Sequence, residues 1–319
     1  MPKFEFLKFK KETSFMKGRY ILVVALALCP CLTFGQKVVI GSNKTEVIQK
    51  AEVVAATAAI PKFTHEMEVM DEPQYECIYS YKINAEVQES YSTILQIGKK
   101  LSKFEDYTLY ALDSISFDTA AYEEEKFAVQ KRHQSAMFCF DATVYQGLPN
   151  DEMTIEQDVV PSVMSYQETL GAMEWNLEDG EENICGYLCN KASVSYGGRI
   201  WTVWYAPEIP SSSGPWKFNG LPGLVMAASD SEGLHKFRAI TFRNGTCPIA
   251  KKKDVTIYKS TRDKVLKAKV EAEKGGLKGI NPASIKEIAV TYGTKGQNIF
   301  VNGVAIRERP NGYQALELE

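Results

Sequence analysis

Apolar and polar residues alternate along much of the chain from Phe63 onward. The alternating runs are Thr64 to Val69, Glu76 to Val87, Tyr91 to Ile97, Ala136 to Tyr145 and Met153 to Val159, and Met173 to Trp175 is a shorter strand-like piece. A period of two puts successive side chains on opposite faces of a strand, so this pattern predicts β-strands with one face on a core. Turn residues separate the runs and no regular strand–helix alternation is visible, which favours an antiparallel sheet.

The clearest local pattern lies between Cys185 and Ile209, where two strand-like runs flank Gly197-Gly198. Two glycines adopt the positive φ angles of a two-residue hairpin turn, and such a turn fixes the register. The predicted cross-strand pairs are Val194 with Trp201, Ala192 with Val203, Asn190 with Tyr205 and Lys191 with Trp204.

The two faces of this predicted hairpin differ in character. Val194, Ala192, Trp201, Val203 and Tyr205 form the expected core face. The other face is half-polar and collects Lys191, Trp204, Cys189 and Ile200. Lys191 beside Trp204 would make a cation–π contact worth about 0.5–1 kcal/mol if exposed.

Further elements complete the prediction. A second hairpin joins Leu224–Ser229 to Leu234–Phe242 through the turn residues Asp230 to Gly233, and Asn302-Gly303 is a candidate tight turn. Ser260 to Lys274 has the caps and apolar spacing of a helix. Ala120 to Gln130 has helical propensity, and Lys44 to Ala59 suits a short helix or a strand. The fold class is therefore mainly β: an antiparallel sheet, as a curved meander or a sandwich, with one substantial helix in the C-terminal third.

Pro207 to Leu224 joins the two hairpins and is rich in proline and glycine, with Trp216, Phe218 and other apolar residues among them. A flexible linker would lack aromatic residues. The segment is either a packed connection whose aromatic side chains are buried, or a loop in which Trp216, Lys217 and Phe218 rim a binding surface beside Lys191 and Trp204.

The first 35 residues are predicted to be an N-terminal extension and a signal peptide. Met16-Lys17-Gly18-Arg19 is a basic start, Tyr20 to Leu28 is a short apolar run, and Thr33 and Gly35 suit cleavage before Gln36. The run is shorter than the ~20 residues that span a bilayer. We expect residues 36–319 to be a single exported domain with a poorly defined lead-in at 36–62 and no transmembrane span.

Charge and cysteine content narrow the function classes. Without residues 1–35 the net charge is about −7, which disfavours nucleic acid as a partner. Lys251 to Lys278 is basic and is interpreted as a solvated helix face or, alternatively, as a patch for an anionic surface. Five cysteines remain after cleavage, and their pairing is left open: Cys77, Cys139, Cys185, Cys189 and Cys247. Cys185 and Cys189 would lie ~13 Å apart in one strand, so at least one should pair elsewhere or stay free.

Motifs for chemistry are sparse. The chain contains no phosphate-binding glycine loop before a helix and no Gly-x-Ser-x-Gly elbow. Its histidines, His65, His133 and His235, lack metal-ligand spacing. Cys189 is the remaining nucleophile candidate, with Lys191 as the only visible cause of a lowered pKa; a structural disulfide or a buried thiol is the simpler interpretation. No catalytic residue, cofactor or metal is assigned.

The central block resembles the GLPGLI family of exported Bacteroidetes proteins. The matching residues are Gly186-Tyr187, Cys189, Lys191-Ala192, Gly198-Arg199, Trp204-Tyr205, Glu208-Ile209-Pro210, Gly214 to Phe218 and Gly220 to Leu224, with Ile97-Gly98-Lys99 and Ser102-Lys103-Phe104 upstream. Val225 stands where the motif ends in Ile, and Cys185 and the region before Cys77 look like additions. The resemblance covers about residues 75 to 319 and implies export and a β-rich fold, but no reaction.

Three functions are compatible with these observations. The first is an exported cell-envelope protein, in the periplasm, at the outer membrane or outside the cell, that binds a protein, lipid or nutrient ligand without converting it. The second is a thiol-dependent or hydrolytic envelope enzyme centred on Cys189. The third is a purely structural envelope component.

Overall fold

The computed structural model describes residues 65–117, 140–293, 296–306, 309 and 311–318. Its strands are β1 Met67–Asp71, β2 Pro73–Asn84, β3 Gln88–Gly98, β4 Ser102–Asp106, β5 Ala142–Gln146, β6 Glu152–Val159, β7 Ser162–Thr169, β8 Asn176–Ile184, β9 Tyr187–Tyr196, β10 Arg199–Ala206, β11 Leu224–Asp230, β12 His235–Asn244, β13 Ile249–Lys252, β14 Ile257–Lys259, β15 Ile288–Gly293, β16 Gly296–Val301 and β17 Val304–Ile306. The α-helices are α1 Tyr107–Ser114 and α2 Arg262–Gly275, and short 3-10 turns occupy Ile115–Phe117, Gly276–Gly279 and Pro282–Ser284.

Twelve of these strands form one sheet, in the order β14-β7-β6-β5-β4-β3-β2-β12-β11-β10-β9-β8. Neighbouring strands are antiparallel, except that β14 runs parallel to β7. The sheet therefore consists of two meanders, β2–β7 and β8–β12, joined by the long β2–β12 pair. Small separate sheets are formed by β1 with β13 and by β15–β17.

The large sheet curls so that side chains from its two halves meet on the inner face. Glu168 belongs to β7 near one edge and Tyr196 to β9 near the other, yet the Tyr196 hydroxyl donates a 2.8 Å hydrogen bond to the Glu168 carboxylate. One apolar core fills the inner face and draws side chains from both meanders, such as Tyr79 in β2, Ile155 in β6 and Trp201 in β10. The expected mainly-β fold with one substantial helix in the C-terminal third is confirmed, in its curved form.

The Gly197-Gly198 hairpin is confirmed with its register. Trp201 lies opposite Val194, Val203 opposite Ala192 and Trp204 opposite Lys191, and the two glycines have φ of 59° and 72°. All five side chains of the predicted core face are buried. A two-residue turn leaves the strands only one register, which is why the sequence suffices here.

Other predicted elements are also observed. β11 and β12 flank the Asp230–Gly233 turn, and β16 and β17 flank Asn302-Gly303. α2 begins within two residues of the predicted helix and follows Thr261 as its N-cap. The predictions at 1–35, at Lys44 to Ala59, at Ala120 to Gln130 and at Cys139 lie outside the described residues.

The expectations for secondary structure were incomplete at several places, and β8, β13 and β14 were not predicted. Met173 to Trp175 is not a strand, because β8 begins only at Asn176. α1 was not predicted: it begins at an Asp106 cap whose carboxylate accepts from the Thr108 amide. β7 was also missed, and it pairs with β6 along its whole length.

The Pro207 to Leu224 segment is a packed connection. Ile209, Trp216, Phe218 and Leu221 are all at most 3% exposed and belong to the main core. Gly223 lets the chain return close to β10, since a Cβ there would lie 2.3 Å from the Ala206 oxygen. The segment thus holds the two hairpins together, as the first of its two interpretations predicted. In the described part of the chain, no helix is long and apolar enough to cross a membrane.

Candidate functional site

The Pro-rich connection places Trp216 on the inner face of the curled sheet. Its ring lies 5.5 Å from Trp201, 5.4 Å from Phe218 and 5.6 Å from Tyr196, measured between centroids. Trp216 has φ of 54°, an unfavourable conformation for a side chain of this size. The aromatic packing therefore holds a strained backbone turn in place.

Lys217 is buried in a balanced charge cluster and does not lie on an exposed rim. Its ammonium is 3.0 Å from Glu168 and 2.5 Å from Glu317. Arg262 of α2 contacts the same two carboxylates at 3.0 and 2.6 Å. Two cations thus face two carboxylates, and removing one partner would leave a buried charge without compensation. The aromatic rings of Tyr166 and Tyr196 also lie within 6 Å of the ammonium.

Glu317 belongs to a stretch that we call the tail segment, namely Arg309 and residues 311–318. Its other end sits in a second charge cluster. Arg309 lies 2.6 Å from Asp141 and 3.0 Å from Glu273, and Lys269 of α2 contacts the same two carboxylates at 2.6 Å. Burial alone would lower the pKa of Arg309, but the charges of Asp141 and Glu273 outweigh it and raise that pKa above its ordinary value. The tail segment is therefore anchored by a cation at one end and an anion at the other.

The backbone of the tail segment is bound between these anchors. Arg199 donates to the carbonyls of Ala315 and Leu316 at 2.8 and 3.2 Å, while its guanidinium pairs with Asp230 at 2.9 Å. Nε2 of His235 lies 3.2 Å from the Ala315 oxygen. Because a carbonyl can only accept, Nε2 carries the proton.

His235 is held neutral in this arrangement. Its Nδ1 then accepts from the Tyr81 hydroxyl, 2.9 Å away. Burial and the neighbouring charge of Arg199 lower its pKa to about 4. His235 therefore acts as a hydrogen-bond donor to the tail segment, and at neutral pH it lacks the charge of a general acid.

A cavity of about 40 Å³ lies between the tail segment, α2 and the inner face of the sheet. This space holds a few water molecules, at ~10–15 Å³ each. Its apolar lining consists of Tyr81, Ile83, Phe140, Ala142, Trp216, Leu266 and Leu316, and its polar lining of Asp141, Gln157, Arg309, Tyr313, Gln314 and Glu317. Its apolar wall with a few polar groups resembles the lining of ligand sites, and its volume admits a ligand of a few non-hydrogen atoms or one group of a larger ligand.

The structure divides the five predicted binding residues between two faces. Trp216, Lys217 and Phe218 lie inside, and Trp216 lines the cavity. Lys191 and Trp204 alternate with core residues and face the opposite side, where the Lys191 ammonium pairs with Glu178 at 2.7 Å. A shared binding surface of all five is therefore not formed. A binding role for either group stays a prediction.

Cys189 is buried in the core rather than on the half-polar face. The pairing of β8 with β9 shifts register between Glu178 and Glu181, just across from this position, and such a bulge increases strand twist. Burial raises the pKa of the Cys189 thiol to about 11, which is the opposite of an activated nucleophile. The Lys191 ammonium is directed to Glu178.

The remaining cysteines and histidines do not build a site within the described residues. Cys77, Cys185, Cys189 and Cys247 are free thiols. Of the two outcomes expected for Cys185 and Cys189, pairing elsewhere or staying free, the structure shows the second for both. No group of three or more histidine, cysteine or carboxylate side chains in the described ranges is placed to bind a metal.

Sequence reasoning missed the residues that enclose the cavity opposite the sheet. Lys269 is 1% exposed, so the basic stretch from Lys251 to Lys278 is not simply a solvated face. Glu317 and Arg309 carry no local signal, because their partners lie on distant strands and on α2. Only the tertiary structure brings these charges together.

Comparisons with known proteins add a family match to this fold and cavity. The family described as "Protein of unknown function (Porph_ging)" matches residues 195–227, which run from the end of β9 through the Pro-rich connection into β11. A search of curated proteins finds no match.

Solved structures show distant likenesses. PNGF-II in its C2 crystal form is 14% identical with a TM-score of 0.45, and the match covers 63% of this chain and 33% of PNGF-II. Its P21 form gives 14% identity and a TM-score of 0.42 over 63% and 34% of the two chains. An uncharacterized conserved protein from Thermus thermophilus is 9% identical with a TM-score of 0.29, over 58% and 90%. This chain thus spans about a third of the length of PNGF-II.

Proposed function

We propose that this chain is an exported cell-envelope protein of the GLPGLI type that binds a ligand in its inner cavity without converting it. The observation that carries the proposal is the cavity itself, with Trp216 and Leu266 in its apolar wall and Gln157 and Glu317 among its polar groups. The Porph_ging match at residues 195–227 is consistent with a Bacteroidetes family. Export rests on the basic and apolar pattern of residues 16–35.

The chemistry of the described residues favours binding over catalysis. The Cys189 thiol, the only nucleophile that the sequence nominated, is buried and has a pKa raised to about 11. His235 is neutral and has both ring nitrogens engaged, with Tyr81 and Ala315. Neither group is poised for proton transfer near neutral pH.

Native mass spectrometry of the exported protein, purified from its own host, tests ligand binding. Ala142 lines the cavity, so Ala142→Leu adds methyl groups to a space of about 40 Å³ and should exclude the ligand. Ala283 is exposed in a 3-10 turn, and Ala283→Leu is the matched control. We expect a bound mass on the wild type and on Ala283→Leu, and none on Ala142→Leu.

Two results would overturn the proposal. A wild-type protein that carries no bound mass from its host would instead favour a structural envelope component. Robust turnover in a hydrolase screen would favour an enzyme. The export component is tested separately by N-terminal sequencing of the secreted material, which should begin at Gln36.

A further inference from the structure

The tail segment lies in a groove between α2 and the inner face of the sheet, as a bound peptide would. Carbonyls of Ala315 and Leu316 accept from Arg199, and the Leu318 amide donates to the Gly197 oxygen at 2.9 Å. The Asn311 side chain both donates to and accepts from the backbone of Val87. The contacts that Arg199 and Gly197 make with backbone atoms of the tail segment do not depend on its side chains, so another chain could make them. The Asn311 contacts, by contrast, are specific to the tail segment.

Charge gives the groove its selectivity. With Glu317 withdrawn, Lys217 and Arg262 would lose one of the two carboxylates that they share and keep Glu168, so the charge around them would become more positive. Lys217 is 1% exposed, and water could therefore compensate the surplus positive charge only poorly. Whatever replaces Glu317 must bring a carboxylate, since an anion restores the balance and supplies charge-assisted hydrogen bonds.

The opposite end of the groove has the reverse requirement. With Arg309 withdrawn, Asp141 and Glu273 would lose one of the two cations that they share and keep Lys269, so the charge around them would become more negative. The groove thus selects a basic group at one end and a carboxylate eight residues further along. Between them, the apolar wall that includes Trp216 and Leu266 accommodates apolar side chains such as that of Leu316.

We propose that this groove recognises an extended peptide segment of a partner protein, with a basic residue at the position of Arg309 and a carboxylate at that of Glu317. The tail segment is its intramolecular competitor. The inference rests on the proposed binding function and names its ligand class. An attached competitor acts at an effective concentration of ~mM, so a partner must bind tightly or the tail segment must first be released.

The test uses full-length chains and a labelled peptide of residues 309–318, acetylated and amidated so that its only carboxylate is that of Glu317. Glu317→Gln in the chain weakens the competitor. By fluorescence anisotropy we expect the peptide to bind the Glu317→Gln chain at least ~10-fold more tightly than the wild type. A peptide with Gln at the same position should bind that variant at least ~10-fold more weakly.

Glu271→Gln provides the matched control, because Glu271 is an exposed carboxylate on α2 whose side chain is 65% exposed. This chain should bind the peptide as the wild type does. Equal affinities for the folded Glu317→Gln, Glu271→Gln and wild-type chains would refute the inference. Equal affinity of the Glu317→Gln chain for the Glu-containing and the Gln-containing peptide would also refute the inference.

If the Glu317→Gln chain does not fold, hydrogen exchange of the wild-type chain tests the proposal instead. Millimolar peptide should displace the tail segment of the wild-type chain and accelerate exchange of its Leu318 amide, and an unchanged rate would overturn the proposal. A wild-type dimer that forms with concentration and is dissociated by the peptide would assign the groove to the tail segment of a second copy, against a partner protein. In a further outcome, the peptide fails to bind while the native spectra still show a bound mass that is not a peptide. That result would show that the cavity binds another ligand class. The proposed binding function would then survive, and the inference of a peptide ligand would be refuted.

Discussion

Trp216→Ala tests whether the Pro-rich connection is an anchor of the fold. The side chain is 3% exposed and packs on three other aromatic rings. A buried aromatic side chain removes ~150–250 Å² from water, worth ~4–6 kcal/mol at about 25 cal/mol per Å². Alanine keeps a small part of this and the cavity relaxes partly, so we expect a loss of about 4 kcal/mol in the free energy of unfolding.

The backbone at this position adds a diagnostic comparison. Trp216 has φ of 54°, and alanine is strained there as tryptophan is. Glycine is not, so Trp216→Gly should be about 1 kcal/mol less destabilising than Trp216→Ala. Similar stabilities of the two variants would therefore indicate that the positive φ relaxes when the ring is removed.

Urea unfolding followed by circular dichroism measures both variants. Trp204→Ala is the matched control, because Trp204 is only partly buried and lies on the other face, so its loss should cost less than that of Trp216→Ala. For a chain of this size, the Trp216→Ala loss corresponds to a melting temperature lower by roughly 6–7 °C. A loss below about 1 kcal/mol, or no larger than that of Trp204→Ala, would refute the anchoring role and return Trp216 to the binding-surface interpretation.

Three further measurements follow. The pKa of His235 falls from 6.5 to about 4 on folding, so its contribution to stability is complete above pH 6.5 and is lost as pH drops toward 4, by roughly 3 kcal/mol. The His235→Gln variant should therefore show a flatter dependence of unfolding free energy on pH in that window. An unaltered slope would contradict the neutral state of the buried His235. Gly223→Ala should cost ~2 kcal/mol or more in chemical denaturation because its Cβ would strike backbone, whereas Gly171→Ala, which meets nothing within 4 Å, should cost only ~1 kcal/mol. Iodoacetamide on the native protein should modify exposed Cys185 and leave Cys189 intact until denaturant is added; rapid labelling of Cys189 by peptide mass spectrometry would revive the thiol-enzyme alternative.

Local rules accounted for the hairpins and the main helix. Gly197-Gly198 set a register that is observed pair by pair, since its two positive φ angles admit few turn types. Asn302-Gly303 behaves in the same way, with φ of 52° and 80°. In such places the determinants lie within a few residues of the structure they specify, and the sequence alone is sufficient.

The site depended on contacts that no local pattern encodes. One of the two sequence interpretations placed Lys217 on the rim of a binding surface, yet its partners come from β7 and the tail segment. Lys269 sits in a basic stretch that favoured a solvated face, but Asp141 and Glu273 draw it inside. Cys189 was displaced from its expected face beside a bulge in a strand, β8, that the acidic sequence of residues 176–184 did not reveal.

The β2–β12 pairing has a consequence for how the chain reaches its native state. Tyr81 and His235 are neighbours although 154 residues separate them in sequence. During synthesis, which starts at the N-terminus, the β2–β7 meander can form early. One long edge of β2, however, has no partner until β12 has been synthesised. An unpaired edge invites association with other chains, and non-local pairing is slow. We therefore expect the pairing of β2 with β12 to limit the rate of folding, and the chain to depend on chaperones until this pairing forms.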